Sequence, residues 1–391
     1  MNSLEIFAGA GGLGLGLHAA GFKPVGVIER DSYCCDTIRE NKRRGMQGVR
    51  TWPVVEDDVR DVRFELFADQ LDLVSGGPPC QPFSLGGRHG AYDDARDMFP
   101  QAVRAVREIR PKAFIFENVK GLTRDRFRNY LEYIKLQLEH PELTAKPGQD
   151  WADHLARLER HHTSTSSGSG LRYNVVTRLL NAADYGIPQK RHRIFFVGFR
   201  DDLGIEWAFP EPTHSEAALL WDKSIGEYWD RHRIPLGERS PSISDLKRSK
   251  ALLIRPNTKP WVTVRDALED LPEPILKAGS KFANHKLQPG ARPYPGHTGS
   301  RLDEPAKALK AGVHGVPGGE NMMVRRDGSV RYFTVRETAR LQTFPDEFIF
   351  HGTWSEAMRQ LGNAVPVELA STVGRSVHRQ LFDATQGGPI Q

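Results

Sequence analysis

Cysteine is scarce in this chain. Its 391 residues include three, Cys34, Cys35 and Cys80. The count is odd and no pair stands at metal-ligand spacing. That excludes a disulfide framework, predicts no metal site, and points to a reducing compartment, the cytoplasm. Long apolar runs are also missing. No stretch approaches the roughly 18 apolar residues a membrane-spanning helix needs, so no membrane partner is expected. Met1 to Phe7 shows no basic region leading into an apolar segment and cleavage site, so no secretory signal is expected either. The excess of base over acid is small, 54 Lys and Arg against 49 Asp and Glu, a net charge of +5. That balance permits a nucleic-acid partner without requiring one.

What is present is an alternation of short apolar strands with helical stretches. Leu4–Phe7, Pro24–Ile28, Leu71–Ser75 and Ala113–Phe116 read as strands, with Ser32–Lys42 and Met98–Ile109 as helices between them. Tyr173–Asn181 and Arg193–Phe199 add two more strands. The pattern predicts an α/β fold with a mostly parallel sheet covered by helices. Between them, 139–170 is polar and ends in a Ser/Thr/Gly tract, which reads as a flexible surface insertion. From 201 to 333 proline, glycine and tryptophan become frequent and periodicity fades, predicting a smaller irregular domain. Thr334 and Glu337 then match the capping-box pattern ahead of a helix to Gln342, and Val367–Leu381 reads as a final amphipathic helix.

Two loops carry chemistry. Leu4–Phe7 runs into Ala8-Gly9-Ala10-Gly11-Gly12-Leu13-Gly14, and Glu29 ends the next strand twenty residues after Gly9. A strand, a glycine turn, a helix and a strand-end carboxylate form a platform for a nucleotide-like cofactor, nicotinamide or S-adenosylmethionine alike. In Gly77-Pro78-Pro79-Cys80-Gln81-Pro82, three prolines around one cysteine fix where the sulfur points, at the carboxyl end of a strand where such sheets bind ligands. Glu117 ends the following strand in the same way. Cys34 and Cys35 lie in a helical pattern and are expected to pack.

The set Phe7-Ala8-Gly9-x-Gly11-Gly12, Gly77-Pro78-Pro79-Cys80-Gln81-Pro82-Phe83-Ser84, Glu117-Asn118-Val119, Gln189-x-Arg191-x-Arg193, Arg331–Asp346 and Gln360–Pro366 resembles, in order, the cytosine carbon-5 DNA methyltransferases of bacterial restriction–modification systems. The resemblance spans Leu4 to Pro366 and implies a Rossmann-like S-adenosylmethionine-dependent domain. This domain would comprise 1–200 together with 334–391, with 201–333 as target-recognition domain. It implies Cys80 as nucleophile, Glu117 on the cytosine ring, and Arg191 and Arg193 at the target nucleotide. Phe7, Gly9, Gly11 and Leu13 would lie along the methionine part of the cofactor. Glu29 would hold the ribose and Asp58 the adenine, with Asp57 and Asp61 as alternatives. Pro78, Asn363 and Ala364 would line the pocket.

The implied partner is double-stranded DNA, bound by a monomer, with a restriction endonuclease encoded nearby. Arg325, Arg326, Arg331, Arg336 and Arg340, facing only Asp327 and Glu337 in sequence, are candidate DNA contacts. The loop Leu85–Arg96 is expected to close over the target base. Three alternatives carry different features. A tRNA cytosine methyltransferase would show a Cys-Phe-Thr segment, and no cysteine follows Cys80. A nicotinamide dehydrogenase leaves the Pro-Pro-Cys loop unexplained. A catalytically silent DNA-binding relative would not need both Cys80 and Glu117.

Overall fold

In the computed structural model the apolar segment at the N-terminus forms β1 (Asn2–Ile6), and Phe7, at φ 55°, breaks it by turning into the left-handed region. The model describes residues 1–79, 97–164, 170–239, 248, 249, 252, 254–276, 281–293, 298–311 and 319–385. Cys80 and the expected closing loop Leu85–Arg96 therefore lie outside the described residues. The following strands are β2 (Lys23–Glu29), β3 (Val54–Glu56), β4 (Leu73–Gly76), β5 (Ala113–Val119), β6 (Tyr173–Asn181), β7 (Gln189–Lys190) and β8 (His192–Arg200).

Among the described residues seven of these form one sheet, ordered β3-β2-β1-β4-β5-β8-β6. β1 to β5 pair parallel, while β8 runs antiparallel to both β5 and β6. The mostly parallel α/β fold is thus as expected. From β1 the chain builds outward to β2 and β3, then returns to place β4 on the other side. The carboxyl ends of β1 and β4 therefore flank the point where strand order reverses, the place where such sheets take ligands.

Apolar side chains alternate across the sheet. Leu4, Ile6, Val74, Phe114 and Phe196 pack against helix α3 (Phe99–Ile109) and α4 (Arg128–Glu139) on one face. Leu73, Ala113, Ile115, Phe195 and Val197 meet α1 (Gly12–Ala19) and the last helix, Val367–Thr385, on the other. α2 (Ser32–Arg43) buries Cys34 and Cys35. A C-terminal segment thus completes the core against the sheet.

Two expectations need correction. The polar insertion is not all irregular, because α5 (Trp151–Thr163) forms there, capped by Asp150 and burying His154, Leu155 and Leu158. Its apolar residues are few, but Trp151, Leu155 and Leu158 fall on one helical face that covers Tyr133 and Leu136 of α4. The Ser/Thr/Gly tail at 165–169 lies outside the described residues. The stretch 201–333 also contains ordered helices. Glu216–Ser224 is capped by Ser215, and Val264–Leu268 has a full capping box between Thr263 and Asp266. Their shortness hid them from a periodicity reading. The capping box at Thr334 and Glu337 forms as expected, starting the helix Val335–Leu341.

Candidate active site

The turn after β1 shows why glycine stands where it does. Gly9, at φ 54°, adopts a backbone that disfavours other residues, and among the described residues no heavy atom lies within 4 Å of the Cβ it lacks. Its N–H donates to Glu29 Oε2 at 2.7 Å, while Glu29 Oε1 accepts from the N–H groups of Arg30 and Asp31. The carboxylate is thereby held at the lip of the turn. Asp57 N–H donates to Glu29 O at 3.1 Å, which ties the end of β3 to the end of β2. Asp58 caps the 3-10 turn Val59–Asp61 and pairs with Arg60 and Arg30, which hold its carboxyl below the ordinary range. Leu13 is buried in the core beneath the turn.

The C-terminal segment abuts this turn directly. A Cβ on Gly12 would collide with Val365 O and stand 3.4 Å from Ala364 Cβ. Asn363 is exposed at the end of the helix Trp354–Asn363, and Ala364 is buried beside it. Beneath lies a residue that sequence reasoning missed. Glu5 is fully buried on β1, its Oε1 accepting from Gly14 N–H at 3.0 Å, and burial pushes its carboxyl up to about 8. Its only sequence signal was a carboxylate inside an apolar strand, directly before a glycine turn.

The second loop meets the same crevice. A Cβ on Gly77 would stand 3.4 Å from Glu117 Oε2, so the base of the Pro-Pro-Cys loop passes against that carboxylate. Asn118, also unassigned from sequence, donates its Nδ2 to Pro78 O at 2.9 Å, and Met98 N–H donates to Pro79 O. Both ends of the described loop base are therefore anchored.

Glu117 is 6% exposed, and Arg193 Nε lies 2.6 Å from its Oε1. Burial raises the Glu117 pKa, while the charges of Arg193 and Arg191 pull it down. Desolvation wins, leaving the carboxyl easier to protonate than an ordinary glutamic acid.

The two arginines do not share one role. Arg191 is fully buried, and its guanidinium donates to Leu309 O at 2.8 Å, Gly362 O at 2.6 Å and Ala364 O at 2.9 Å. It holds the C-terminal segment onto the sheet. Only Arg193 reaches Glu117 through an ion pair. Three main-chain carbonyls take Nη donors of Arg191, while its Nε has no hydrogen-bond partner among the described residues. Gln189 is likewise structural, bonding Leu341 O and Leu309 N–H.

A family model of C-5 cytosine-specific DNA methylases matches residues 1–142 and 159–379. The chain belongs to that family. The methylase is 34% identical over 383 residues to the Type II methyltransferase M.Eco47II of Escherichia coli, covering 96% of this chain and 78% of that one. It is 31% identical over 386 residues to the Type II methyltransferase M.NgoMIV of Neisseria gonorrhoeae, covering 97% of each. Its fold superposes on a methyltransferase encoded within an E. coli prophage with TM-score 0.61 at 21% identity, covering 98% and 99% of the two chains. It is an enzyme, a DNA (cytosine-5-)-methyltransferase, and DNA is its substrate. Among the described residues no helix of the methylase is long and apolar enough to cross a membrane.

The arginines between 325 and 340 are more heavily paired than their neighbours in sequence imply. Arg331 and Glu337 form a buried two-pronged pair. Arg336 is fully buried on the carbonyls of Ala283, Pro345 and Phe348, and Arg340 is held by Asp270 and Asp346. These three are corrected from DNA contacts to internal braces. Arg325 and Arg326 pair with Glu273 and Glu238 at the rim of a cavity of about 430 Å³, and their partners are exposed.

Proposed function

We propose that this methylase uses S-adenosylmethionine to methylate carbon 5 of one cytosine within a specific short sequence of double-stranded DNA. The observation that carries the reading is the approach of Gly77, at the base of the Pro78-Pro79-Cys80 loop, to the buried Glu117 carboxylate. The cofactor's residues fit it. The N-cap of α1 is Gly11, which carries no side chain, and no acid lies in the helix's first turn; Glu5 takes the Gly14 N–H, and the N–H groups ahead of it suit a carboxylate. Phe7, Gly9, Gly11 and Leu13 are assigned to the methionine part, Glu29 to the ribose hydroxyls and Asp58 to the adenine. Pro78, Asn363 and Ala364 form the remaining walls. When bound, S-adenosylmethionine supplies an electrophilic methyl group.

Cytosine carbon 5 is a poor nucleophile while the ring is aromatic. The Cys80 thiolate adds to carbon 6, forming a carbon–sulfur bond and moving an electron pair onto carbon 5. Glu117, held by Arg193, hydrogen-bonds N3 and the exocyclic amino group and stabilises the charge that develops there. After methylation the carbon 5 proton leaves and the thiolate departs, restoring the ring. Both ring faces must be reached, so the base is rotated out of the duplex at a cost of a few kcal/mol. The segment 201–333 reads the surrounding sequence as target-recognition domain. The names of the Type II relatives support a modification enzyme of a restriction–modification system. The proposal further takes it to act as a monomer in the cytoplasm, with an endonuclease encoded nearby.

Expression in a host without cytosine methylation, followed by bisulfite sequencing, should reveal 5-methylcytosine at a single short motif. An unmethylated genome beside folded, cofactor-binding protein would overturn the reading and direct attention to tRNA. Glu117→Gln keeps the volume and the hydrogen-bonding shape but cannot give a proton. Its kcat on a duplex bearing that motif should fall by about 10²–10⁴ with cofactor affinity unchanged. The wild-type kcat should also decline as pH rises through the elevated Glu117 pKa, because the protonated form is lost. Turnover of the glutamine variant near wild type would remove Glu117 from the chemistry.

A further inference from the structure

The part of the chain that the family model leaves out, 143–158, joins two helix ends that meet. α4 ends at Glu139 with His140 as its cap, and His162 lies in the last turn of α5. Glu139 Oε2 is 3.4 Å from His162 Nδ1, and His140 Nε2 is 3.1 Å from that same nitrogen. One ligand atom from each residue lies within 4.8 Å of the other two. Tetrahedral zinc, with bonds of about 2.0–2.1 Å to nitrogen and oxygen, sets neighbouring donor atoms roughly 3.3 Å apart. The two measured separations bracket that value.

The surroundings suit a cation. Glu139 and His140 are 8% and 6% exposed, and Glu139 Oε2 accepts no hydrogen bond among the described residues. Lys135 Nζ stands 3.5 Å from the other carboxylate oxygen, Oε1, leaving Oε2 turned to the imidazoles. The carboxyl ends of both helices converge here, adding the negative ends of two backbone dipoles. His162 is half-exposed, which opens the fourth position to water. Two imidazoles and one carboxylate select a transition metal over calcium or magnesium.

We propose that Glu139, His140 and His162 form a binding site for a divalent transition-metal ion, zinc or one of similar preference, that clamps α4 to α5. None of the three is among the residues gathered around Glu117, so the site acts on the stability of this helix pair and not on methyl transfer. It escaped the sequence reading because that reading looked for cysteine spacing. Here 22 residues separate the two histidines, and only the packed helix pair brings them together.

The test uses the full-length protein, freed of metal by a chelator and desalted. Zn(II) is titrated by calorimetry, and Co(II) absorption reports the coordination geometry. One equivalent of Zn(II) should bind and raise the melting temperature, and Co(II) should give the intense visible bands of a tetrahedral site. His162→Ala, exposed in a final helical turn, should fold normally. It should weaken binding by more than the roughly 100-fold typical of losing an outer-shell partner, and abolish the thermal response. His161→Ala should keep both. Equal Zn(II) affinity in wild type and His162→Ala, or no uptake by the wild type, would overturn the site and leave a hydrogen-bonded histidine pair only.

Discussion

Cys80→Ala should stop methylation while S-adenosylmethionine still binds. Removing the nucleophile of an enzyme that works through a covalent intermediate costs on the order of 10⁶ in kcat. Without the thiolate, carbon 5 is never activated, and the remaining groups stabilise charge that does not form. The residues assigned to the cofactor, among them Gly9 and Glu29, keep their contacts with one another. Cofactor affinity measured by calorimetry should therefore match the wild type. A duplex carrying 5-fluorocytosine at the target gives a second readout. Fluorine cannot leave as a cation in the step that restores the ring, so wild-type enzyme should be trapped as a covalent complex, and Cys80→Ala should not. Cys80→Ser should behave nearly as badly, because a hydroxyl ionises far less readily than a thiol. Turnover by the alanine variant within about 100-fold of wild type would exclude covalent catalysis through this residue.

Arg191→Ala should be the most damaging change outside the chemistry, with an expected loss of about 3–5 kcal/mol in stability. Its guanidinium bonds three carbonyls, those of Leu309, Gly362 and Ala364, at 2.6–2.9 Å in a fully buried setting. Alanine removes this donor from the Leu309 and Gly362 carbonyls, leaves Ala364 O with the longer Gln342 Nε2 bond at 3.4 Å, and opens a void. Lysine keeps the charge but is a compact point donor in place of a planar fork, so Arg191→Lys should recover only part of the loss.

The damage should reach the cofactor. The segment that Arg191 holds is the one that closes on Gly12. Urea denaturation should show the lower midpoint, and titration of the folded variant should show weaker S-adenosylmethionine binding. Stability within about 1 kcal/mol of wild type would mean that the segment is held by its apolar contacts alone.

The strands and the glycine turn were legible in the sequence because their signals are local. Apolar runs of strand length, the capping pair Thr334 and Glu337, and Gly9 at a positive φ all act within a few residues. The motif order carried the family with it. The single cysteine of the Pro-Pro-Cys loop and the strand-end carboxylates Glu29 and Glu117 also stood out, since their residue types are unusual where they occur.

Only the tertiary structure decided what each charged side chain holds. Arg191 and Arg193 are two residues apart and look equivalent. One bonds carbonyls 118 to 173 residues away, while the other pairs with Glu117. The partners of Arg340 come from Asp270 and Asp346, and those of Arg325 and Arg326 include Glu273 and Glu238, all outside their local run. The histidines beside Glu139 meet only when α5 packs alongside α4. Backbone propensity and apolar periodicity act over a few residues, so sequence reports them. A buried charge must find its partner wherever the fold brings an acceptor close, because leaving it unpaired costs several kcal/mol. That choice is made in three dimensions.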